Sequence, residues 1–171
     1  TGVSFASLYH FFGSREGLVE AALAEIYIRP IRESFSAIEQ AVALCTNADE
    51  FYDVIRLISG VAYAPDRAKY RMARLSVLGG IAGRPDLQQR IAEAQNDANR
   101  ELARILGPSQ SRGWIAPDLD LVTLAAWLTG LTLGRAIIEI EPTNANPDVW
   151  DHLSIEVLIG VVKYGKGIGG R

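Results

Sequence analysis

Hydrophobic residues recur along most of the chain at the three- and four-residue spacing of amphipathic helices. In the segment from Pro85 to Leu106, for example, Leu87, Ile91 and Ala94 lie on one helical face. No run of five or more residues alternates cleanly between apolar and polar positions, as a half-buried strand would. The pattern therefore predicts an all-α fold.

Turn signals and caps divide this pattern into separate helices. Ser14 is a suitable N-cap after Gly13, whose lack of a side chain suits the left-handed end of a preceding helix. Pro30 removes one backbone hydrogen bond and either bends the second helix or begins a new one. The predicted helices cover residues 4–12, 14–42, 51–64, 66–82, 85–106, 118–139 and 148–163, with a loop at 107–113.

The two last helices carry more apolar surface than a single core can cover. The final helix is apolar on two faces, and Ala126, Gly130 and Gly134 leave a smooth strip on the helix before it. A second copy of the chain could pack there, although Gly130 and Gly134 could instead accommodate a neighbouring helix of the same chain. The predicted dimer interface comprises Ala126, Gly130, Gly134, Leu153, Val157, Leu158, Val161 and Val162.

Composition narrows the class of protein. The chain has 171 residues, 49% of them hydrophobic and 22% charged, which fits a folded globular protein and excludes a disordered one. The net charge of −3 lacks the basic excess of a typical nucleic-acid binder. Any contact with DNA would therefore come from a few placed side chains or from residues before Thr1.

The expected location is the cytoplasm. The single cysteine, Cys45, lies among apolar residues, which favours a packed thiol in a reducing compartment over a reactive one. No export leader is recognisable. The longest uncharged run, Leu121–Gly134, has 14 residues, fewer than the ~20 that a membrane span needs, so we expect a buried helix and no membrane partner.

The most informative motif is GVSFASLYHFFGSREGL at residues 2–18. It resembles the end of the TetR-family helix-turn-helix, in which a Gly-Val-Ser turn opens the recognition helix and Leu-Tyr-x-x-Phe completes it. A segment similar to Ser-Lys-Glu-x-x-Leu then starts the linking helix of that family. The resemblance covers about seventeen positions in one register without a gap.

The resemblance implies a bacterial transcriptional repressor. Residues 1–30 would be the C-terminal part of the helix-turn-helix domain with the linking helix, 31–165 a helical ligand-binding and dimerisation domain, and 166–171 a flexible glycine-rich tail. The family's first two helices are absent from this sequence. Operator DNA is therefore expected as a partner of the full-length protein only, and the chain alone is not expected to bind an operator tightly.

The resemblance also implies roles for individual residues in the recognition helix. Phe5, Ala6 and Ser7 would face bases, the first two through apolar contact and Ser7 through a hydrogen bond. Tyr9 and His10 would contact phosphate or sugar, unless Tyr9 only stabilises the motif and His10 is an ordinary surface histidine. The last expected DNA contact is Arg15, which stands where the family usually has lysine and would hold a phosphate.

The middle of the chain is rich in residues that suit a small-molecule cavity. Aromatic and aliphatic walls with a few polar groups are typical of such cavities, although ordinary core packing is the alternative for each residue. Tyr63, Asn99 and Trp127 stand out because each polar group would need a partner in a sealed core. The predicted ligand-binding residues are Phe51, Tyr52, Ile55, Ser59, Tyr63, Tyr70, Arg74, Leu75, Leu78, Asn99, Leu102, Trp114, Trp127 and Leu131.

The expected effector is a small, mostly apolar or aromatic molecule whose binding relieves operator binding. An enzyme is the first rival, but two histidines, one cysteine and no Gly-x-Ser-x-Gly or Glu-x-x-His motif give no visible catalytic or metal site. We therefore expect no catalysis, no cofactor and no metal. The second rival is a helical dimerisation or small-molecule-binding module without a DNA role.

Overall fold

The computed structural model describes residues 12–140 and 145–165, and its regular elements within these ranges are all helices. This confirms the predicted all-α class. The elements are α1 (Arg15–Arg32), α2 (Phe35–Leu44), α3 (Ala48–Tyr63), a 3₁₀ turn (Pro65–Arg67), α4 (Ala68–Gly79), α5 (Pro85–Ser111), α6 (Leu121–Ile140) and α7 (Pro147–Tyr164).

The start of α1 follows the predicted capping chemistry. The backbone N–H of Gly17 donates to Ser14 Oγ at 2.9 Å, so Ser14 satisfies one of the free amides of the first turn. Gly13 has a φ of +74°, the left-handed conformation that favours glycine. Gly17 is required for a different reason, since a Cβ there would lie 2.3 Å from the carbonyl oxygen of Phe12.

The interruption near Pro30 falls just after the proline. Helix α1 continues through Pro30 to Arg32, and α2 begins at Phe35. In the connecting turn the hydroxyl of Ser34 donates to the carbonyl of Ile31 at 2.7 Å. The turn separates α1 from α2, so the chain can change direction between them.

The predicted loop at 107–113 is wrong, because α5 extends to Ser111 through Pro108. Leu106 and Ser109 are both buried, so this last turn remains part of the packed face of the helix. Burial therefore outweighs the local preference of a Gly-Pro pair for a loop. The chain turns only at Gly113, with a φ of +78°.

Helix α5 connects two cores. Its N-terminal half packs against α1, and α4 covers both α1 and α6. The buried apolar residues between these helices form the first core, which we call the α1 core: Tyr27, Ile28, Val77, Leu87, Ile91 and Ala98. The second group, the C-terminal core, comprises Val42, Cys45, Phe51, Tyr52, Leu106, Ile115, Leu124, Leu158, Ile159 and Val162.

Helix α6 is long and apolar enough to cross a membrane by length and composition alone, with a mean hydropathy of 1.6. Two of its side chains, Arg135 and Glu139, are nevertheless buried or half-buried in ion pairs with other helices. It also packs against α4, α5 and α7. These contacts support its interpretation as a helix of a folded bundle.

Candidate ligand-binding site

The C-terminal core encloses a cavity of about 160 Å³ that is partly open to the surface. An apolar cavity of about 150 Å³ can hold a molecule of the size of benzene, so this space suits a single ring or a short alkyl chain. Helices α2, α3, α5, α6 and α7 all contribute to its walls. The lining residues are Ile38, Val42, Phe51, Ile55, Ile58, Ser59, Ala62, Tyr63, Leu102, Leu106, Ile115, Leu124, Leu128, Thr132, Leu158 and Val162.

Three hydroxyl groups interrupt this apolar lining, and two of them are unpaired. Thr132 Oγ1 donates to the carbonyl of Leu128 at 2.9 Å and is thereby satisfied. Ser59 and Tyr63 are buried, and their hydroxyls have no hydrogen bond in the part of the chain that the structure describes. Both groups are therefore available to orient a ligand that carries a polar atom.

Tyr63 is held in its neutral form. Burial, reinforced by the negative charge of Asp151, raises the pKa of Tyr63 to about 12. Its ring packs edge-on against Trp150 of α7, with centroids 5.3 Å apart. A neutral phenol in an apolar wall can donate a hydrogen bond without adding a charge to the cavity.

A buried ion network closes the end of α3 beside the cavity. Arg71 of α4 is 2% exposed and pairs with Glu139 of α6 through both Nε and Nη2. Its guanidinium also donates to the carbonyls of Ala62, Tyr63 and Ala64 at the C-terminal end of α3. A cation is favourable there because the helix end carries partial negative charge and unpaired carbonyls.

The same network extends to α7. Arg135 lies 3.4 Å from Glu139, and its Nε donates to Asp151 Oδ1 at 2.5 Å. We call the group formed by Arg71, Arg135, Glu139 and Asp151 the ion network. Since each charge has an opposite partner, the network joins α3, α4, α6 and α7 around the cavity wall without leaving a buried charge uncompensated.

A second polar group lies one turn along α4, between α1, α5 and α6. It comprises Tyr27, Arg74, Gln95, Asn99 and Thr129, and we call it the Arg74 cluster. The guanidinium of Arg74 lies over the ring of Tyr27, 4.6 Å from the centroid, and its Nη2 donates to Gln95 Oε1 at 3.5 Å. The Tyr27 hydroxyl donates to the same oxygen at 2.9 Å. Gln95 Nε2 in turn donates to Asn99 Oδ1 at 2.7 Å and to Thr129 Oγ1 at 3.2 Å.

Five predicted ligand-binding residues line the cavity: Phe51, Ile55, Ser59, Tyr63 and Leu102. Two others, Arg74 and Asn99, belong to the Arg74 cluster. The remaining predicted residues lie outside the lining, at Tyr52, Tyr70, Leu75, Leu78, Trp114, Trp127 and Leu131.

The aromatic residues outside the lining have structural contacts of their own. The hydroxyl of Tyr52 donates to the carbonyl of Trp114 at 2.9 Å. Trp114 packs on Phe51 with ring centroids 5.8 Å apart and so supports the cavity wall from behind. Tyr70 is exposed beneath Lys69 and belongs to the surface.

Two residues predicted for the dimer interface need a correction. Leu158 and Val162 are buried inside the chain and line the cavity, because this face of α7 packs on α3. Val161 is half-buried against the C-terminal core. A Cβ added to Gly134 would lie 3.8 Å from the Trp150 ring of the same chain, so Gly134 faces a neighbouring helix of its own chain. The exposed predicted residues are Ala126, Gly130, Leu153 and Val157.

These exposed positions are part of a larger set of exposed apolar residues on α6 and α7. On α7 the exposed apolar residues are Val149, Leu153 and Val157, which lie at four-residue intervals and are 50–59% exposed. On α6 the neighbouring exposed apolar residues are Val122, Ile137 and Ile140. We call this surface the α6–α7 face.

The predicted base and phosphate contacts Phe5, Ala6, Ser7, Tyr9 and His10 lie outside the described residues. Arg15 is described, and its side chain is exposed at the first position of α1. No group of three or more possible metal-ligating side chains occurs within residues 12–140 and 145–165.

Arg71, which organises the wall, and most of the lining residues were not among the predicted site residues. The available signal was on α4, where Arg71, Arg74 and Val77 form the buried stripe at three-residue intervals. Arginines at positions that periodicity reserves for apolar residues indicate buried charge. The missed lining residues such as Leu124 and Leu128 gave no signal beyond ordinary helical spacing.

In comparisons with known proteins, no family model, no curated protein and no solved structure matches this chain.

Proposed function

We propose that this chain is the effector-binding and dimerising part of a TetR-like transcriptional regulator. A small apolar effector occupies the cavity between α2, α3, α5, α6 and α7, and its binding relieves operator binding by the segment that precedes α1. The single observation that carries this proposal is the apolar cavity of about 160 Å³ with the unpaired hydroxyls of Ser59 and Tyr63. A packed core without a ligand has little use for such a space.

The contacts around the cavity support a route from the effector to the DNA-binding end. The end of α3 lines the cavity and is held by Arg71 of α4, and α4 packs directly against α1. Helix α1 begins at Arg15, within the motif at residues 2–18 that resembles the end of a TetR helix-turn-helix. An effector that favours one position of α3 would therefore also favour one position of α1.

The α6–α7 face supports a homodimer. A run of exposed apolar side chains on two adjacent helices is unfavourable in water and can be covered by the same face of a second copy. Residues Gly130 and Ala126 leave room there for a close approach of helices, since a Cβ on Gly130 would meet no atom within 4 Å. A twofold dimer would place two DNA-binding ends on two operator half-sites.

The DNA-binding part is tested with the full-length product of the gene. We expect it to select one sequence from a random double-stranded DNA library and to bind that sequence in a gel-shift assay. A saturating effector should weaken this binding by about 5- to 150-fold, the usual range of allosteric coupling. If no sequence is selected, the DNA role is refuted, and a ligand-binding module without DNA remains.

The dimer is tested by sedimentation equilibrium of the chain. Leu153→Glu combined with Val157→Glu places two charges on the α6–α7 face and should produce a monomer. The control is Leu57→Glu, because Leu57 is 66% exposed on α3, outside that face. A wild-type chain that is already monomeric, or a control that dissociates equally, would contradict the proposed interface.

A further inference from the structure

The guanidinium of Arg74 is buried without a counter-charge. Arg74 is only 4% exposed. Among the described residues, no carboxylate lies within ion-pair distance of its guanidinium. Its one hydrogen bond, to Gln95, is long at 3.5 Å. Burying a charge in this way is costly, and proteins normally pair such a group or use it.

Two of its nitrogen atoms are left for another partner. Arg74 Nε is fully buried and has no hydrogen bond. Nη1 also has no hydrogen bond in the described part of the chain. Nη1 and Nη2 form the outer end of the guanidinium, where their parallel N–H groups match the two oxygens of a planar anion.

A second free donor follows from the orientation of the cluster. An arginine can only donate, so Gln95 must turn its carbonyl oxygen towards Arg74 and its amide nitrogen towards Asn99. Asn99 therefore accepts through Oδ1 and keeps its NH₂ group for a different acceptor. Asn99 is buried, and this NH₂ group has no partner within residues 12–140 and 145–165.

No residue of the Arg74 cluster lines the cavity, but three of the helices that carry the cluster also carry residues at the cavity. On α5, Asn99 is three residues before Leu102, which lines the cavity, a separation of about 4.5 Å along the helix axis. On α6, Thr129 follows the lining residue Leu128 directly. On α4, Arg71 lies one turn from Arg74 and contacts Ala62 of the lining. The cluster and the cavity therefore lie about one helical turn apart on these helices.

We infer that the Arg74 cluster is the anion-binding end of the ligand site, and that the effector is a small apolar carboxylate. This inference rests on the proposed effector-binding function and names its ligand class. The apolar part of the ligand, of the size of one ring, occupies the cavity, and its carboxylate accepts hydrogen bonds from Arg74 and Asn99. A carboxylate fits because it is planar and supplies the missing charge.

The inference is tested by isothermal titration calorimetry of the whole chain with three matched probes at neutral pH. The probes are 3-phenylpropanoate, its uncharged amide and n-propylbenzene, which share the same ring and chain. We expect the carboxylate to bind at least about tenfold more tightly than the amide, since a charge-assisted pair is roughly twice as strong as a neutral hydrogen bond.

Arg74→Met removes the charge but keeps an apolar stem. This variant should lose the preference for the carboxylate and bind the amide and n-propylbenzene within about twofold of wild type, which also shows that the variant is folded. Arg74→Lys, which retains the charge, should keep part of the preference. The control is Arg100→Met, because Arg100 is exposed on α5 and pairs with the exposed Asp97.

The outcomes separate the two proposals. Equal affinity of wild type for the carboxylate and the amide, or a preference that survives Arg74→Met, refutes the carboxylate inference alone if n-propylbenzene still binds. If none of the three probes binds, the cavity is not an effector site of this size, and both proposals fail.

Discussion

Arg71 and Arg74 lie one helical turn apart on α4, and both side chains are almost completely buried, yet their surroundings differ. Arg71 pairs with Glu139 and donates to the three carbonyls that end α3. Arg74 has the ring of Tyr27, one long hydrogen bond and an unpaired Nε. Each atom of the first guanidinium is used inside the protein, and part of the second is not.

Under the proposed function, the difference is that between a structural charge and a ligand-binding charge. A buried charge with a complete set of partners holds helices in place, whereas a buried charge without them costs stability and is retained for another reason. The ion network therefore belongs to the architecture of the cavity wall. We propose that the Arg74 cluster takes part in ligand recognition.

The largest expected effect is on the structural arginine. Arg71→Met leaves Glu139 half-buried with a single cation, Arg135, and leaves the end of α3 without its donor. We expect the free energy of unfolding in urea to fall by about 3–5 kcal/mol, as when a buried pair is broken. The matched exposed variant, Arg100→Met, should change it by less than about 0.5 kcal/mol. A loss below about 1 kcal/mol for Arg71→Met would show that the ion network does not hold the wall.

A smaller effect is expected from Tyr63, whose pKa near 12 results first from burial and then from Asp151. The unfolded chain ionises this phenol near its ordinary pKa of about 10, so the folded state holds the proton more tightly and stability is lost as the pH rises from about 10 to 12. A difference of about two pKa units corresponds to about 2–3 kcal/mol.

Tyr63→Phe removes this titration, so subtracting the variant's stability from that of wild type at each pH isolates the contribution. The measurement is urea unfolding at several pH values between neutral and strongly alkaline. A difference between the two proteins that stays constant across the alkaline range would show that Tyr63 is not held neutral by the cavity wall.

The smallest expected effect on stability is on the functional arginine. Arg74→Met removes an uncompensated buried charge and replaces it by an apolar side chain, so the free energy of unfolding should remain within about 1 kcal/mol of wild type or increase. Circular dichroism during thermal unfolding provides the measurement. A large loss of stability, similar to that of Arg71→Met, would show that Arg74 also stabilises the fold and would contradict the difference proposed between the two arginines.

The sequence predicted the helices well because apolar periodicity and capping residues act locally. Ser14 and Gly13 specify the start of α1 by themselves. The end of α5 could not be predicted in the same way, since Pro108 remains helical only because Leu106 and Ser109 are buried by other helices. Local preference and tertiary packing oppose each other there, and packing prevails.

The site was predictable only in part for a related reason. Periodicity identifies an apolar face but does not say whether that face meets another helix, a cavity or a second copy. Both apolar faces of α7 were recognised, but Leu158 and Val162 were assigned to the dimer although they line the cavity. Arg74 was among the predicted ligand-binding residues and Arg71 was not, but the partners of Arg71 on α3 and α6 are distant along the chain and gave no local signal.

The most direct test of the account is a crystal structure of the chain with 3-phenylpropanoate. The account predicts the phenyl ring among Phe51, Leu124 and Leu128, and a carboxylate oxygen within about 3 Å of Arg74 Nη1 or the amide nitrogen of Asn99. A ligand bound on the surface, or a carboxylate directed away from Arg74, would contradict the claim that the cavity and the Arg74 cluster form one site.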